Sequence, residues 1–400
     1  MTDEHSAVVV VGGGPVGLIL AHRVHVAGVP VVVLDNRDAT AADNQDDYGR
    51  AGLWEQRTVS TLTKYGLADG LLAQGTRHPA FELRCFGESL TVDYGKWAGG
   101  NVASYAYPQV FLERDLRAAY TAAHGDLRSG ATVFDITGLD EDDVRVHYRL
   151  ADGTTRALRC AAVIAADGSH GRSQEFAPYG AFTRQRSTYP VGGLAVFAET
   201  PPPAHGTIYA ASERGFAAHA IRTPTVSRLY VQCPPTDSVD DWPDERIWSE
   251  LDRNLALVDG PRPSVPHGRI LATGMVYMRT QITEPMQYRG MYLVGDAGHT
   301  ITPMGAKGAN LGIADAADLA ESLIAHYVHG DEGVLRDYSR RRLTDVWQGQ
   351  AFSRLLLELF SPPPTEDVVG LRIRRSRIEE IVDGGPFSEW FSRRYAGLDG

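Results

Sequence analysis

The sequence predicts an α/β fold in which a Rossmann-like parallel sheet is interrupted by an inserted mixed or antiparallel sheet and completed by C-terminal helices. Three observations carry this. Near the N-terminus an apolar run at 7–11, Ala-Val-Val-Val-Val, leads at once into Gly12, Gly14 and Gly17. At 291–318 a second apolar run passes through an acidic turn and a glycine-rich loop into helical spacing. Between these segments continuous apolar runs give way to alternating apolar and polar residues.

The run at 7–11 lacks polar alternation, as expected of a strand buried on both faces of a parallel sheet. Gly12 permits the tight turn, Gly14 lets backbone approach a pyrophosphate, and Gly17 allows close contact by a helix expected over 15–27. Pro15 suits that helix's first turn. A second apolar strand at 31–34 ends at Asp35, placed to accept from an adenosine ribose hydroxyl. In the late segment Asp296 can accept from a sugar-like chain. Gly305, Gly308 and the amides opening the next helix can approach an anion or carbonyl. One glycine fingerprint plus one dissimilar late segment points to FAD, whose adenosine and ribityl-isoalloxazine halves need two different sites.

Residues 145–150 and 227–233 read as half-buried antiparallel strands, and Asp152-Gly153 as a hairpin turn. Prolines at 201–203, a hairpin-like region at 206–233 and a helix over 244–257 suggest an inserted sheet covering one face of the flavin. After Gly308 the apolar spacing is helical to about Tyr327, and Arg-rich helices fill the C-terminus. The expected organisation is an FAD-binding domain at 1–178, with part of 76–108 on the substrate side, a substrate-binding sheet at 179–285, and a return to the FAD-binding region with C-terminal helices at 286–400.

A chain of 400 residues suits two joined domains with a large core. The formal net charge of −11 disfavours nucleic acid as a partner. No apolar stretch would span a bilayer, and the opening residues lack a signal peptide's basic start and apolar core, so a soluble cytoplasmic protein is expected. Cys85, Cys160 and Cys233 are few and widely spaced, which argues for buried thiols and against a disulfide framework or a metal site.

The glycine triplet at 12–17, Asp167-Gly168 and Gly295-Asp296 together resemble the class A flavoprotein aromatic hydroxylases. Within that group three strings are similar to the 4-hydroxybenzoate hydroxylase branch: Arg-Ala-Gly-Leu-Trp-Glu-Gln at 50–56, Asp-Asp-Trp-Pro-Asp-Glu-Arg at 240–246, and Gly-Ala-Lys-Gly at 305–308. The similarity spans nearly the whole chain. It implies an NADPH- or NADH-consuming monooxygenase in which dioxygen adds to reduced FAD as a C4a-hydroperoxide that hydroxylates an electron-rich ring. A phenolate reacts far better than a phenol, whose pKa of about 10 keeps it protonated at neutral pH. The resemblance assigns proton removal to Tyr209, Tyr395 and His78. Taken singly, Tyr209 would read as a core tyrosine, His78 as a loop histidine and Tyr395 as a residue of a loose terminus.

Further roles carry over in the same way. The substrate carboxylate is expected at Arg222, with its planar fork, and at Tyr230. FAD is expected at Gly12, Gly14, Gly17, Asp35, Arg50, Gln109, Asp167 and Asp296, and at the loop Lys307, Gly308, Ala309 and Asn310, whose amides at 309 and 310 would face the isoalloxazine carbonyl. Arg228 is expected as a buried cation near the ring. His170 and Arg279 match positions that contact NADPH; apart from the resemblance, Arg37 alone offers a nearby cation for a 2′-phosphate. The resembled group commonly forms dimers, so a homodimer is expected on that ground.

Two departures bear on the substrate. Ala220 replaces an expected hydroxyl residue beside the carboxylate, and Met304, after Pro303, replaces an expected threonine, which reshapes the pocket beside the ring. An aromatic acid remains the expectation, and a substituted 4-hydroxybenzoate, for example an amino derivative, becomes a candidate. The competing readings are a related monooxygenase acting on an aromatic amine or by decarboxylative hydroxylation, a flavin halogenase, which the lack of a Trp-x-Trp pair disfavours, and a non-catalytic binding protein of this fold.

Overall fold

The computed structural model describes residues 4–38, 52–141, 143–203, 206–212, 215–361 and 366–398. Arg50 and most of the acidic segment before it lie outside these residues. The first strand, Glu4–Val11, sits mid-sheet between Val31–Asp35 and Thr155–Ala165, both parallel to it. Asp126–Ser129 and Met291–Leu293 extend the parallel sheet at its two sides. Val8, Val9 and Val10 are fully buried, as a strand covered on both faces requires. Val144–Arg149 and Thr132–Thr137 hang antiparallel from Thr155–Ala165, with the turn at Asp152-Gly153 where φ of Gly153 is +84°.

Two of the three glycines of the turn have a steric cause. Gly12 has a φ of +112°, and a Cβ there would run into the Ala166 carbonyl. A Cβ on Gly17 would strike the Gly12 carbonyl, so the helix Pro15–Val26 can approach its strand only with glycine there. Gly14 meets nothing within 4 Å and leaves its backbone open to the cavity described below. Gly17→Ala is therefore expected to destabilise the protein by about 1–3 kcal/mol through overpacking, read as a lower unfolding temperature together with reduced flavin content.

The second sheet runs, edge to edge, through His299–Thr300, Ile270–Glu284, Thr183–Ala198, Ser227–Cys233, Gly215–Ile221, Thr207–Ser212, Phe81–Cys85 and Glu88–Val92. All its pairings are antiparallel except Thr207–Ser212 with Phe81–Cys85. Two strands thus come from within 76–108, far in sequence from the rest. The helix Asp244–Asn254 lays Ile247, Trp248 and Leu251 against Leu194, Val196 and Leu229 on one face. It stops short of Leu257 because Val258 is drawn off to the Gly87 carbonyl.

The late segment forms the strand Met291–Leu293, short 3₁₀ turns at Gly295–Ala297 and Met304–Ala306, and the helix Lys307–His329. This helix reaches the cofactor-like turn because Gly312 lacks a side chain: a Cβ there would lie 3.0 Å from the Gly295 Cα. The helices Tyr338–Phe360, Val368–Val382 and Pro386–Tyr395 follow, and no helix among the described residues is long and apolar enough to cross a membrane.

Candidate active site

One continuous cavity of about 890 Å³ runs from the glycine turn of the first sheet to the face of the second. Gly12, Gly14, Asp35, Arg37 and Gln109 line one end, Asp167, His170, Asp296, Gly308 and Ala309 line the middle, and Arg222, Arg228, Tyr230, Tyr209 and His78 line the other end.

At the first end Asp35 is buried and already engaged. Burial would raise its carboxyl, but hydrogen bonding and charge from Arg37, with the charge of Arg117, outweigh that and hold it below the usual carboxylate value. Arg37 donates to Asp35 at 3.1 Å and pairs with Glu113 at 2.7 Å. This corrects the expectation of Arg37 as a spare cation for a 2′-phosphate, because its charge is already shared by two carboxylates. Arg117 and Gly13 went unnoticed in the sequence. Arg117 pairs with Asp35 from the helix Gln109–Ala122, and a Cβ on Gly13 would lie 2.5 Å from Asp35 Oδ2. No local pattern marks a partner 82 residues away.

In the middle, Asp167 accepts from the Ser173 amide at 2.9 Å and hydroxyl at 2.7 Å. Asp296 opens into the cavity, and the surrounding protein raises its carboxyl above the ordinary value. The turn carrying it is braced from beneath by Asp315, fully buried, which accepts from the Gly295 amide at 2.9 Å, lies 2.6 Å from the His299 imidazole and pairs with Arg342 at 2.7 Å. Gly305 and Ala306 take φ of +76° and +55°, and this double left-handed turn sets the start of the Lys307–His329 helix at the cavity wall with Gly308 and Ala309 exposed to it.

Two residues of that loop differ from expectation. The buried Lys307 ammonium turns away from the cavity to Glu55 Oε1 at 2.5 Å and to the carbonyls of Arg394 and Tyr395 at 2.5 and 3.1 Å. Its side chain thereby ties down the end of the C-terminal helix. The Asn310 side chain accepts from the Glu55 amide and Thr58 hydroxyl and donates to the Leu53 and Ala306 carbonyls, so its four bonds are spent on protein. Sequence spacing places these residues at the loop but carries no information on which way a long side chain turns.

At the far end three neighbouring strands build one face. Ala218 sits opposite both Tyr209 and Tyr230, and Ala220 sits opposite both Thr207 and Arg228. The two alanines leave a shallow floor between the tyrosines and the arginine, with Phe216 and Met278 also lining the cavity. Phe216 and Ala218 escaped the sequence reading, although period-two alternation with Ala220 would have put all three on one face. The Arg228 guanidinium stacks 4.6 Å over the Tyr230 ring and 5.2 Å over Phe197.

Arg222 has no carboxylate partner among the described residues, and its Nε is buried without a hydrogen bond. Burial, then the charge of Arg228, push its guanidinium down to about 10. A desolvated cation of this kind is poised for an anion from solution.

The Tyr209 and Tyr395 hydroxyls lie 3.1 Å apart. Burial raises both phenols above their ordinary value, so each is neutral and able to give and take a proton. Tyr209 is held by a stack on Phe360 at 5.7 Å and an edge contact to Phe81 at 5.3 Å. His78 is 3% exposed and lines the same cavity, but no hydrogen bond joins its ring to the tyrosine pair. Burial pushes its imidazole down to about 4. Arg279, expected at the nicotinamide reductant, stands exposed on the Ile270–Glu284 strand and does not line the cavity.

The dimensions and chemistry of this cavity fit FAD: a side-chain-free approach at Gly14, a helix start with exposed backbone, and an acid at the middle. Known proteins agree. The family described as an FAD binding domain matches residues 5–353. The p-hydroxybenzoate hydroxylase of Acinetobacter baylyi is 31% identical, with all of this chain and 96% of that protein aligned. A ubiquinone hydroxylase of Rhodospirillum rubrum is 27% identical over 99% of this chain and 90% of its own length. Among solved structures, p-nitrophenol 4-monooxygenase from Pseudomonas putida superposes with a TM-score of 0.82 at 21% identity, each chain covered to 99%. With a full-length relative above 30% identity and an FAD-binding family spanning most of its residues, the chain belongs to the class A flavoprotein aromatic hydroxylases, monooxygenases that use FAD, a nicotinamide reductant and dioxygen.

Proposed function

We propose that this enzyme hydroxylates an aromatic acid of the 4-hydroxybenzoate type, on a ring carbon activated by the phenol. The observation that carries the reading is Arg222, without a carboxylate partner among the described residues, in the same cavity as Tyr209, whose hydroxyl lies 3.1 Å from that of Tyr395 behind it. A carboxylate at one end of a ring and a phenol at the other meet complementary groups at once.

In this reading the carboxylate takes the fork of Arg222 and the hydroxyl of Tyr230, and the ring lies over Ala218 and Ala220 with Pro303 and Met304 beside it. Bound FAD, reduced by NADPH and met by dioxygen, supplies an electrophilic oxygen atom. Tyr209 accepts the substrate's phenolic proton as it hands its own to Tyr395, and the positive charges of Arg222 and Arg228 favour the phenolate. Gly12, Gly14, Asp35, Gln109, Asp167, Asp296 and the backbone of Gly308 and Ala309 hold the cofactor, while Lys307 and Asn310 brace it from behind. The alanine floor leaves space for a further small substituent such as an amino group.

A panel of ring-substituted 4-hydroxybenzoates tests this. At least one member is expected to accelerate NADPH oxidation and yield a product one oxygen atom heavier, whereas benzoates lacking the 4-hydroxyl are expected to give no hydroxylated product. Equal turnover of a neutral 4-hydroxybenzamide would remove the case for Arg222 as the carboxylate partner.

A further inference from the structure

Tyr209 and His78 line one cavity, and no hydrogen bond joins the Tyr209–Tyr395 pair to the imidazole, so a relay ending at His78 needs another carrier. Ser104 stands where one is required. It is fully buried, its hydroxyl makes no hydrogen bond to a backbone carbonyl and lies beside the Tyr94 hydroxyl, and neither ring nitrogen of His78 bonds another side chain. Ser104 pairs directly opposite His78 in the antiparallel ladder of Thr76–His78 and Ser104–Ala106. Directly opposed residues project to the same side of a sheet, with Cβ atoms about 5 Å apart. Hydroxyl and imidazole are therefore neighbours on one face without a direct hydrogen bond, a separation that one water would bridge.

The tyrosines lie beside this pair. Tyr94 donates its hydroxyl to the His78 carbonyl and accepts from the Ser104 amide at 3.0 Å, pinning the two backbones together. The Tyr94 ring in turn packs against the Tyr395 ring with centroids 4.8 Å apart. From the other direction, a Cβ on Gly206 would lie 3.2 Å from the His78 ring, three residues before Tyr209. An ordinary buried serine bonds a nearby carbonyl, as Ser353 does to Thr302 and Met304. Ser104 makes no such carbonyl bond and has the Tyr94 hydroxyl beside it instead.

We propose that Ser104 is a positioning residue of the proton path, its hydroxyl conducting the substrate's phenolic proton from Tyr395 to His78. The substrate O–H bond breaks as Tyr209 gains that proton and passes its own to Tyr395. Tyr395 passes one to Ser104, Ser104 passes one to an imidazole nitrogen, and the imidazole releases a proton to solvent. Every carrier ends neutral, and nothing is oxidised or reduced. This rests on the relay reading of Tyr209 and Tyr395 given above.

The test mixes FAD-loaded full-length enzyme with 4-hydroxybenzoate in weak buffer and follows proton release with a pH-indicator dye. In Ser104→Ala the release rate is expected to fall about tenfold, short of the roughly hundredfold loss for a primary carrier, because water can enter the space of the missing hydroxyl. Flavin content and substrate affinity are expected to stay within twofold, and Ser104→Thr, which keeps a hydroxyl, is expected to recover most of the rate. If either substitution prevents folding, Ser104→Cys supplies a nearly isosteric but weaker carrier with an intermediate rate. Release at the parent rate in Ser104→Ala or Ser104→Cys overturns the proposal if Tyr209→Phe is slow in the same assay. Parent rates in both the Ser104 and Tyr209 variants overturn the relay itself.

Discussion

Arg222→Ala is expected to weaken binding of 4-hydroxybenzoate by about 3 kcal/mol, roughly a hundredfold in Kd, because it leaves a substrate carboxylate desolvated without its charged partner. Titrating the flavin absorbance with the acid measures this directly. Arg222→Lys is expected to recover part of the loss, since an ammonium supplies charge but not the two-pronged geometry. The folding consequence has the opposite sign. Without substrate, Arg222 carries no carboxylate partner among the described residues, and its buried charge opposes folding. The alanine variant is therefore expected to melt no lower than its parent. A large loss of binding with no loss of stability separates an anion site from an architectural arginine. A variant that binds the acid at the parent affinity would exclude Arg222 as the anchor.

The two ends of the cavity were legible in the sequence to different degrees. Continuous apolar runs and glycine spacing marked Glu4–Val11, Pro15–Val26 and the 291–318 segment, because a strand buried on both faces and a helix packed on a turn allow few other residue types. The substrate face was harder to read. Its strands are gathered from 81–92, 183–233 and 270–300, and alternation alone does not say which strand lies beside which. Charged side chains were the least legible. Arg37 and Arg117 converge on Asp35, and Lys307 folds back to Glu55, through contacts that exist only once distant segments meet. Lys307 stands at the position expected, but its ammonium serves the helix that carries Tyr395. The family resemblance located Asp35 and Lys307 but not Arg117, and only the surroundings distinguish a ligand of the cofactor from a brace behind it.

Tyr209→Phe is expected to lower hydroxylation about a hundredfold at neutral pH while leaving binding of the acid nearly intact, since Arg222 and Tyr230 remain to hold it. The ring survives the change, with its stack on Phe360 and its edge contact to Phe81, so the fold should persist. What is lost is the hydroxyl 3.1 Å from that of Tyr395, which costs about 1–3 kcal/mol of stability through the unpaired partner. The pH profile carries the decisive sign. In the parent the relay removes the phenolic proton, so hydroxylation should vary little from pH 7 to 9. In the variant the substrate must ionise unaided, and the rate should rise nearly tenfold per pH unit toward a phenol pKa of about 10. NADPH oxidation should continue in the variant with less product formed for each equivalent consumed, because reduction of the cofactor does not use this proton. A Tyr209→Phe enzyme that hydroxylates at the parent rate, or whose rate stays flat as pH rises, would mean that the substrate's phenol is not ionised through these tyrosines. Proton removal would then have to be sought among the other groups lining the cavity, among which Asp167, His170 and Asp296 are ionisable groups at its middle.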